Sequence, residues 1–326
     1  MHDPHTISAR SDVVFRKDYA IDQAELRKLY ENAKRDQWNA AEDIPWERTV
    51  DLDEGVIADE LVDAFGTDYW RKLSKREQGE LNRRTAAWRL STLMYGEHGA
   101  MLVCSQLVEM VAGGDAKFFQ ATQVVDEARH TEVLNRYIAE KLEGMFYPMP
   151  QPERELFDTL IGDSRWPVKT IGLQLVAETF AVSLFRMMAE TSKDPLLCEI
   201  CRRVLSDESR HMGFGMLSLP AVVAESSEAE RRELEEMTEF SLQKVVKGLF
   251  FPADVYRDMG FSEADIDEIR RLKRARQAGG EAVLFRQVFK KELDASLLQN
   301  LSRIGLLNER ARERLGGMGI RVRESA

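Results

Sequence analysis

From about residue 74 onward, apolar positions recur every three or four residues, and runs alternating apolar and polar between turn residues are missing. The pattern predicts an all-α protein. Ser74-Lys-Arg-Glu77 has the form of a capping box, in which hydroxyl and carboxylate satisfy each other's free backbone donors. A long helix is predicted from there to Val111, where Gly113-Gly114-Asp115 interrupts it. A second runs from about Asp115 to Glu143 and stops at Gly144, ahead of a Pro-rich connector between Tyr147 and Pro152. A third begins near Trp166-Pro167 and ends around Glu190. The break from Ser192 to Pro195 opens a fourth, which reaches Leu217 before Pro220. These four segments form two helical hairpins.

The flanking regions are less distinctive. Residues 11–73 read as short helices and an irregular segment carrying Trp38 and Trp46, while Ser227-Glu-Ala-Glu230 and Ser262-Glu-Ala-Asp265 begin further amphipathic helices. No segment has linker composition. The expected organisation is an N-terminal extension over 1–73, a helical core over 74–220, and C-terminal helices over 221–326 packed on the same domain.

Composition narrows the function. The 326-residue chain carries a net charge of −10, and its Lys and Arg are scattered among acids, so no basic face for nucleic acid is expected. The longest apolar stretch, Ile171 to Met188, is interrupted by Glu178 and Arg186, which argues against a membrane span. Three cysteines and a polar start suit a cytoplasmic protein. Cys198 and Cys201 form a C-x-x-C pair inside a predicted helix with no second pair, so a buried structural role is expected.

Histidine is the informative residue. Of only five, His2 and His5 lie in the polar leader, His98 adjoins Glu97 but points about 100° away on its helix, and His130 and His211 sit in a repeated pentapeptide. The repeat is Asp126-Glu127-Ala-Arg129-His130 and Asp207-Glu208-Ser-Arg210-His211, once in the second helix and once in the fourth. Glu and His three apart on a helix share a face, so both can bind one metal ion. Each hairpin also offers a lone glutamate in its first helix: Glu97 lies 30 residues before Glu127, and Glu178 lies 30 before Glu208. At 1.5 Å per residue, Glu97 and Glu127 stand roughly 24 and 20 Å from their turn, and Glu178 and Glu208 roughly 22 and 20 Å from theirs. Four carboxylates and two imidazoles therefore converge in mid-bundle. Burying those carboxylates uncompensated would cost several kcal/mol each, and two divalent ions remove the problem. The mixed oxygen and nitrogen set suits iron or manganese. Asp126 and Asp207 are candidates to fix the imidazoles through their other ring nitrogens, with Arg129 and Arg210 paired to those acids. Met101, Cys104, Gln123, Gln174, Ala181, Val182, Phe185, Cys201 and Val204 share helix faces with these residues and are expected to line a mostly apolar cavity.

With Gly96-Glu97, Ala100, the segment Leu173 to Glu178 and the two Asp-Glu-x-Arg-His motifs, the chain resembles the ferritin-like di-iron oxygenases. It is most similar to the hydroxylase alpha subunits of bacterial multicomponent monooxygenases, over about residues 90–220. The resemblance implies a ferritin-like four-helix bundle. Glu97, Glu127, His130, Glu178, Glu208 and His211 would bind two iron ions, with a mixed manganese and iron pair as the alternative. It also implies dioxygen and a small organic substrate as reactants, an external electron donor such as a reductase or ferredoxin, and a homodimer. The chain departs from the family at Val182, where the alpha subunits carry an active-site Thr. At Val204 the N-oxygenase branch carries an additional His, which counts against that branch. At Leu134 the related ribonucleotide reductase small subunits carry a radical Tyr. The expected function is a di-iron oxygenase or oxidase that hydroxylates or N-oxygenates a small, mostly apolar molecule. The alternatives are an iron-handling ferroxidase and a radical-generating subunit like that of ribonucleotide reductase.

Overall fold

The computed structural model describes residues 5–18, 20–248, 251–278 and 296–317. Among these, regular structure is helical throughout. After α1 (Ala24–Arg35), a 3₁₀ turn (Asp59–Leu61) and the short α2 (Asp68–Lys72) come the long α3 (Lys75–Met110) and α4 (Gly114–Lys141). Next are α5 (Gln151–Gly162), then α6 (Trp166–Thr170), which continues through a π-helical stretch (Ile171–Ala177) into α7 (Glu178–Thr191), and α8 (Pro195–Glu225). The remaining helices are α9 (Glu228–Gly248), α10 (Ala253–Asp258), α11 (Glu263–Ala278), α12 (Leu298–Arg303) and α13 (Glu309–Gly317).

The predicted starts have the predicted chemistry. Ser74 accepts from the Glu77 backbone N–H while the Glu77 carboxylate accepts from the Ser74 N–H at 2.7 Å, closing the capping box of α3. Ser227 with Glu230 and Ser262 with Asp265 repeat the arrangement ahead of α9 and α11. The helix pairs α3/α4 and α7/α8 pack as two hairpins, and α4 meets α8 across the middle.

The structure corrects the reading in three places. Between the expected connector and the third helix lies α5, with Pro152 in its first turn, where the missing N–H costs nothing, and Leu156, Phe157, Leu160 and Ile161 buried along one face. The fourth helix does not stop at Leu217 but runs through Pro220 to Glu225. A proline there removes one backbone bond, and the fully buried Leu219 and Val223 keep the last turns on the core. The third helix is continuous as expected, but the wider π turns stand immediately before Glu178. The stretch Trp166–Thr191 is long and apolar enough to cross a membrane, and 89% of its most apolar window is buried inside the protein.

Two polar clasps set the outer helices on the bundle. Asp115, in the first turn of α4, accepts from the backbone N–H groups of Asp22 (2.8 Å) and Gln23 (2.9 Å) and from Arg27 Nε (2.5 Å). Asp22 in return accepts from the N–H groups of Gly114 (2.8 Å) and Asp115 (3.2 Å). Each acid thus satisfies the open donors at the other's helix start, and α1 is locked along α4 and α8. The second clasp is Lys169, wholly buried, which donates to the carbonyls of Leu160 and Ile161 at the end of α5 and to Gln106 Oε1 (2.6 Å) on α3.

Glycines let α5 lie close over α3 and the π stretch. A Cβ on Gly99 would stand 2.4 Å from the Phe157 ring, and one on Gly172 would stand 2.4 Å from Leu160. Gly99→Val is therefore expected to push Phe157 outward and destabilise the protein by about 1–3 kcal/mol, read as a lowered melting temperature. An unchanged melting temperature would contradict the close approach.

Candidate metal centre

The six residues singled out by spacing meet in the middle of the bundle. Glu97 (α3), Glu127 and His130 (α4), Glu178 (first residue of α7), and Glu208 and His211 (α8) are all at most 4% exposed. Two overlapping groups each have ligand atoms within 4.8 Å of one another: Glu97, Glu127, His130 and Glu208, and then Glu127, Glu178 and His211. Both imidazoles turn Nδ1 inward. His130 Nδ1 lies 3.0 Å from Glu97 and 3.2 Å from Glu208 Oε1, and His211 Nδ1 lies 3.1 Å from Glu208 Oε2. Glu127 spans the same gap, 3.6 Å from His130 through Oε2 and 3.3 Å from His211 through Oε1. Glu127 and Glu208 are therefore common to both halves, while Glu97 serves the His130 side and Glu178 the His211 side, 3.8 Å from Nδ1.

Crowding sets the protonation. Burial and the charge of Glu208 lift Glu97 well above the usual carboxylate range, and burial with Glu208 and Glu127 lifts Glu178 likewise. Burial would also raise Glu208, but the His211 charge and hydrogen bonds from Glu178 and His130 hold it well below that range. Burial opposes charging the imidazoles, and the surrounding acids overcome it, so both sit well above the usual histidine value. The buried Glu127 Oε2 and Glu208 Oε1 have no well-aligned hydrogen bond to the protein, His130 Nδ1 being turned chiefly to Glu97. Two inward nitrogens, four carboxylates and two orphaned oxygens form a donor set that could hold two cations.

Behind the imidazoles the hydrogen bonds cross between helices. His130 Nε2 faces Asp207 of α8 at 3.0 Å, and His211 Nε2 faces Asp126 of α4 at 3.3 Å. Arg129 donates to Asp126 (2.6 Å) and Asp207 (2.9 Å), while Arg210 pairs with Asp207 (2.5 Å) and reaches Asp126 at 3.5 Å. The result is a closed square of two acids and two guanidiniums. Burial notwithstanding, His130, Trp38 and Arg129 hold Asp207 below its ordinary range, and His211 does the same for Asp126.

Spacing alone missed several contributors. Gln37 and Trp38, which follow α1, close the square: Gln37 joins Arg129 (2.6 Å) and Asp126 (3.0 Å), and Trp38 Nε1 donates to Asp207 at 2.9 Å while stacking on His130. Gln37 lies 89 residues from Asp126 and Trp38 lies 169 from Asp207, and the Asp115 clasp with the packing of α1 on α4 and α8 brings them there. Gln123 and Gln174 were expected in the cavity wall. Instead Gln123 Nε2 donates to Glu127 (3.0 Å) and Glu178 (3.1 Å), and Gln174 donates to Gln123 at 3.0 Å.

The cavity is shifted from the expected one. It comprises about 70 Å³, several times what one water needs, and lies between α3, α5, the π stretch with α7, and α9. Glu97 and Glu178 form its polar end, and Leu93, Ala100, Phe157, Leu173, Phe180 and Leu184 are among its apolar walls. Of the nine residues expected from helix faces only Ala181 lines it. Cys104, Val182, Phe185, Cys201 and Val204 are core, while Met101 is half-buried. The expectation failed because it lacked α5 and assumed α-helical register through the π stretch. His98 is exposed and so does not pack behind Glu97. Tyr137 is buried and donates to Asp194 Oδ2 at 2.6 Å, at the start of α8.

The family model described as P-aminobenzoate N-oxygenase AurF matches residues 21–291. The chain belongs to this family. It is accordingly an oxidoreductase of the ferritin-like di-iron oxygenase superfamily, with dioxygen and an organic molecule as reactants. Membership corrects the inference drawn from Val204, because the match embraces most of the chain whereas the missing His is a single position, here filled by a fully buried valine. No curated protein matches the chain. Among solved structures it is similar to an R2-like ligand-binding oxidase with aerobically reconstituted metal cofactor after photoconversion, at 18% identity over 90% of this chain and 95% of that one, with a TM-score of 0.47. A variant of such an oxidase with an aerobically reconstituted Fe/Fe cofactor matches at 17% identity over the same shares, also at 0.47.

Proposed function

We propose that Glu97, Glu127, His130, Glu178, Glu208 and His211 hold two iron ions, or one manganese and one iron, and that the AurF-family chain oxygenates the amino nitrogen of a small aromatic amine. The observation that carries the proposal is the buried donor set described above, opening through Glu97 and Glu178 onto an apolar cavity. When bound, the metal pair supplies reduction of dioxygen and transfer of oxygen to the organic molecule. The protein does the rest. Glu127 and Glu208, each near both imidazoles, would serve both ions, and Asp207 and Asp126 would hold the imidazoles in one tautomer with Nδ1 presented inward. Gln123 restrains Glu127 and Glu178 against rotation. The apolar walls exclude water and orient an aromatic ring against the carboxylate end. Monooxygenation takes two electrons from outside the substrate, so a reductase or ferredoxin completes the proposal.

The protein loaded anaerobically with ferrous iron should bind two ions per chain. On mixing with oxygen, a reductant and 4-aminobenzoate, it should yield an N-oxygenated product detectable by mass spectrometry. Iron oxidation with no oxygenated amine among a panel of arylamines would support the ferroxidase alternative instead.

A pH dependence follows from the same groups. Without metal, Glu97, Glu178 and both imidazoles have raised pKa values and carry protons that a metal must displace. Lower pH favours the protonated, metal-free form. Loading should release protons into weakly buffered solution, and affinity should fall as the pH is lowered. A pH-independent affinity would refute the assignment.

A further inference from the structure

One charged side chain in the cavity wall has no counterpart in the metal cluster. Glu153, in the first turn of α5, lines the same cavity as Glu97 and Glu178. Its Oε2 is buried with no hydrogen-bond partner. Its Oε1 lies over Gly96, 3.1 Å from where a Cβ would stand, one residue before Glu97. A side chain at position 96 would crowd the carboxyl, so the glycine leaves room for it beside the metal end of the cavity. Lys244, which also lines the cavity, is engaged elsewhere: its ammonium pairs with Glu155 and stands over the Phe240 ring.

A buried carboxyl oxygen that no protein group satisfies is destabilising unless a ligand supplies its partner. We infer that Glu153 is the residue that recognises the substrate's amino group, accepting its N–H and turning the nitrogen toward the Glu97 and Glu178 end of the cavity. Burial lifts Glu153 well above the usual carboxylate range, with no charged neighbour contributing to the shift, which suits the carboxyl to a neutral arylamine. In either state an oxygen is available to accept from nitrogen. The aromatic body would rest on Phe157, Phe180 and Leu184, and Leu156 and Phe157 come from the same helix as the carboxyl. Recognition of the nitrogen and of the ring is thus built into one helix, held by the Lys169 clasp at its far end.

This inference deepens the arylamine reading and rests on it for the choice of probe. The test compares 4-aminobenzoate with 4-methylbenzoate, which matches it in shape and lacks the N–H, by calorimetry on the metal-loaded and the metal-free protein. Wild type should prefer the amine by at least ~10-fold. Glu153→Leu should bring the two ligands within about two-fold of each other, mainly by weakening the amine, and Glu153→Gln, which keeps an acceptor, should retain part of the preference. Two metal ions per chain in both variants would show that the bundle is intact. In turnover the effect should appear as a raised KM with a smaller change in kcat.

A wild type without amine preference, or a Glu153→Leu protein that keeps it, would overturn the inference. A wild type that makes N-oxygenated product while Glu153→Leu still discriminates would sink the recognition role and leave the oxygenase reading standing. Amine discrimination that depends on Glu153 in a protein that oxygenates no arylamine would do the reverse.

Discussion

Replacing Glu208 with alanine is expected to reduce bound metal from two ions per chain to one or none, and to lower amine-dependent oxygen consumption by more than ~100-fold. The reason is positional. Glu208 places one oxygen 3.2 Å from His130 Nδ1 and the other 3.1 Å from His211 Nδ1, so a single truncation empties a place in both halves. Replacement of a group one step removed from a metal already costs roughly 10–100-fold in affinity, and a shared ligand must cost more. The truncation also leaves two imidazoles facing each other with less negative charge between them. Their elevated pKa values should therefore fall, visible as an upfield shift in histidine titration by NMR on the metal-free variant. Metal analysis of dialysed protein decides the matter: two tightly held ions in Glu208→Ala would refute the shared role.

The second large effect concerns folding. Asp207 accepts from His130, Trp38 and Arg129 and pairs with Arg210, all within 3.0 Å. In Asp207→Ala two guanidiniums at 7% exposure are left to share Asp126 alone. Removing one member of a buried charge network costs roughly 3–5 kcal/mol, because the remaining charges are left with less compensation. At roughly 2–4 °C per kcal/mol the melting temperature of the metal-free protein should fall on the order of 10 °C. Asp207→Asn, which still accepts from His130 or Trp38 but carries no charge, should fall less. A drop within a degree or two for Asp207→Ala would mean the square contributes little to stability.

The convergence of the six central side chains was legible because helix geometry is a short-range rule. A Glu and a His three apart must share a helix face, and matched arms of two hairpins must bring Glu97 level with Glu127 and Glu178 level with Glu208. Helix starts were legible for a similar reason, since capping boxes such as Ser74 with Glu77 are local hydrogen-bond solutions. What lay hidden depended on contacts between distant segments. Gln37 and Trp38 reach the site through a clasp between Asp22 and Asp115 that no periodicity announces. The helix α5 was concealed by the prolines at and before its start, although Pro152 there and the apolar pairs Leu156-Phe157 and Leu160-Ile161 are what a short helix packed on a bundle requires. Missing it meant missing Glu153 and most of the cavity. The π stretch was hidden because its residues are as apolar and as helix-compatible as their neighbours; only its hydrogen-bond register differs.

The crossed pairing behind the imidazoles bears on how the chain can be divided. Each hairpin contributes a Glu-x-x-His, yet the acid that orients each histidine belongs to the other hairpin. A half-chain ending in the loop before α6 would carry His130 without Asp207, and its complement would carry His211 without Asp126. Neither fragment owns a finished half-site. The internal repeat therefore gives two interlocked copies rather than two modules, and any ancestor built from a single hairpin would have needed a second copy of itself to orient its histidine.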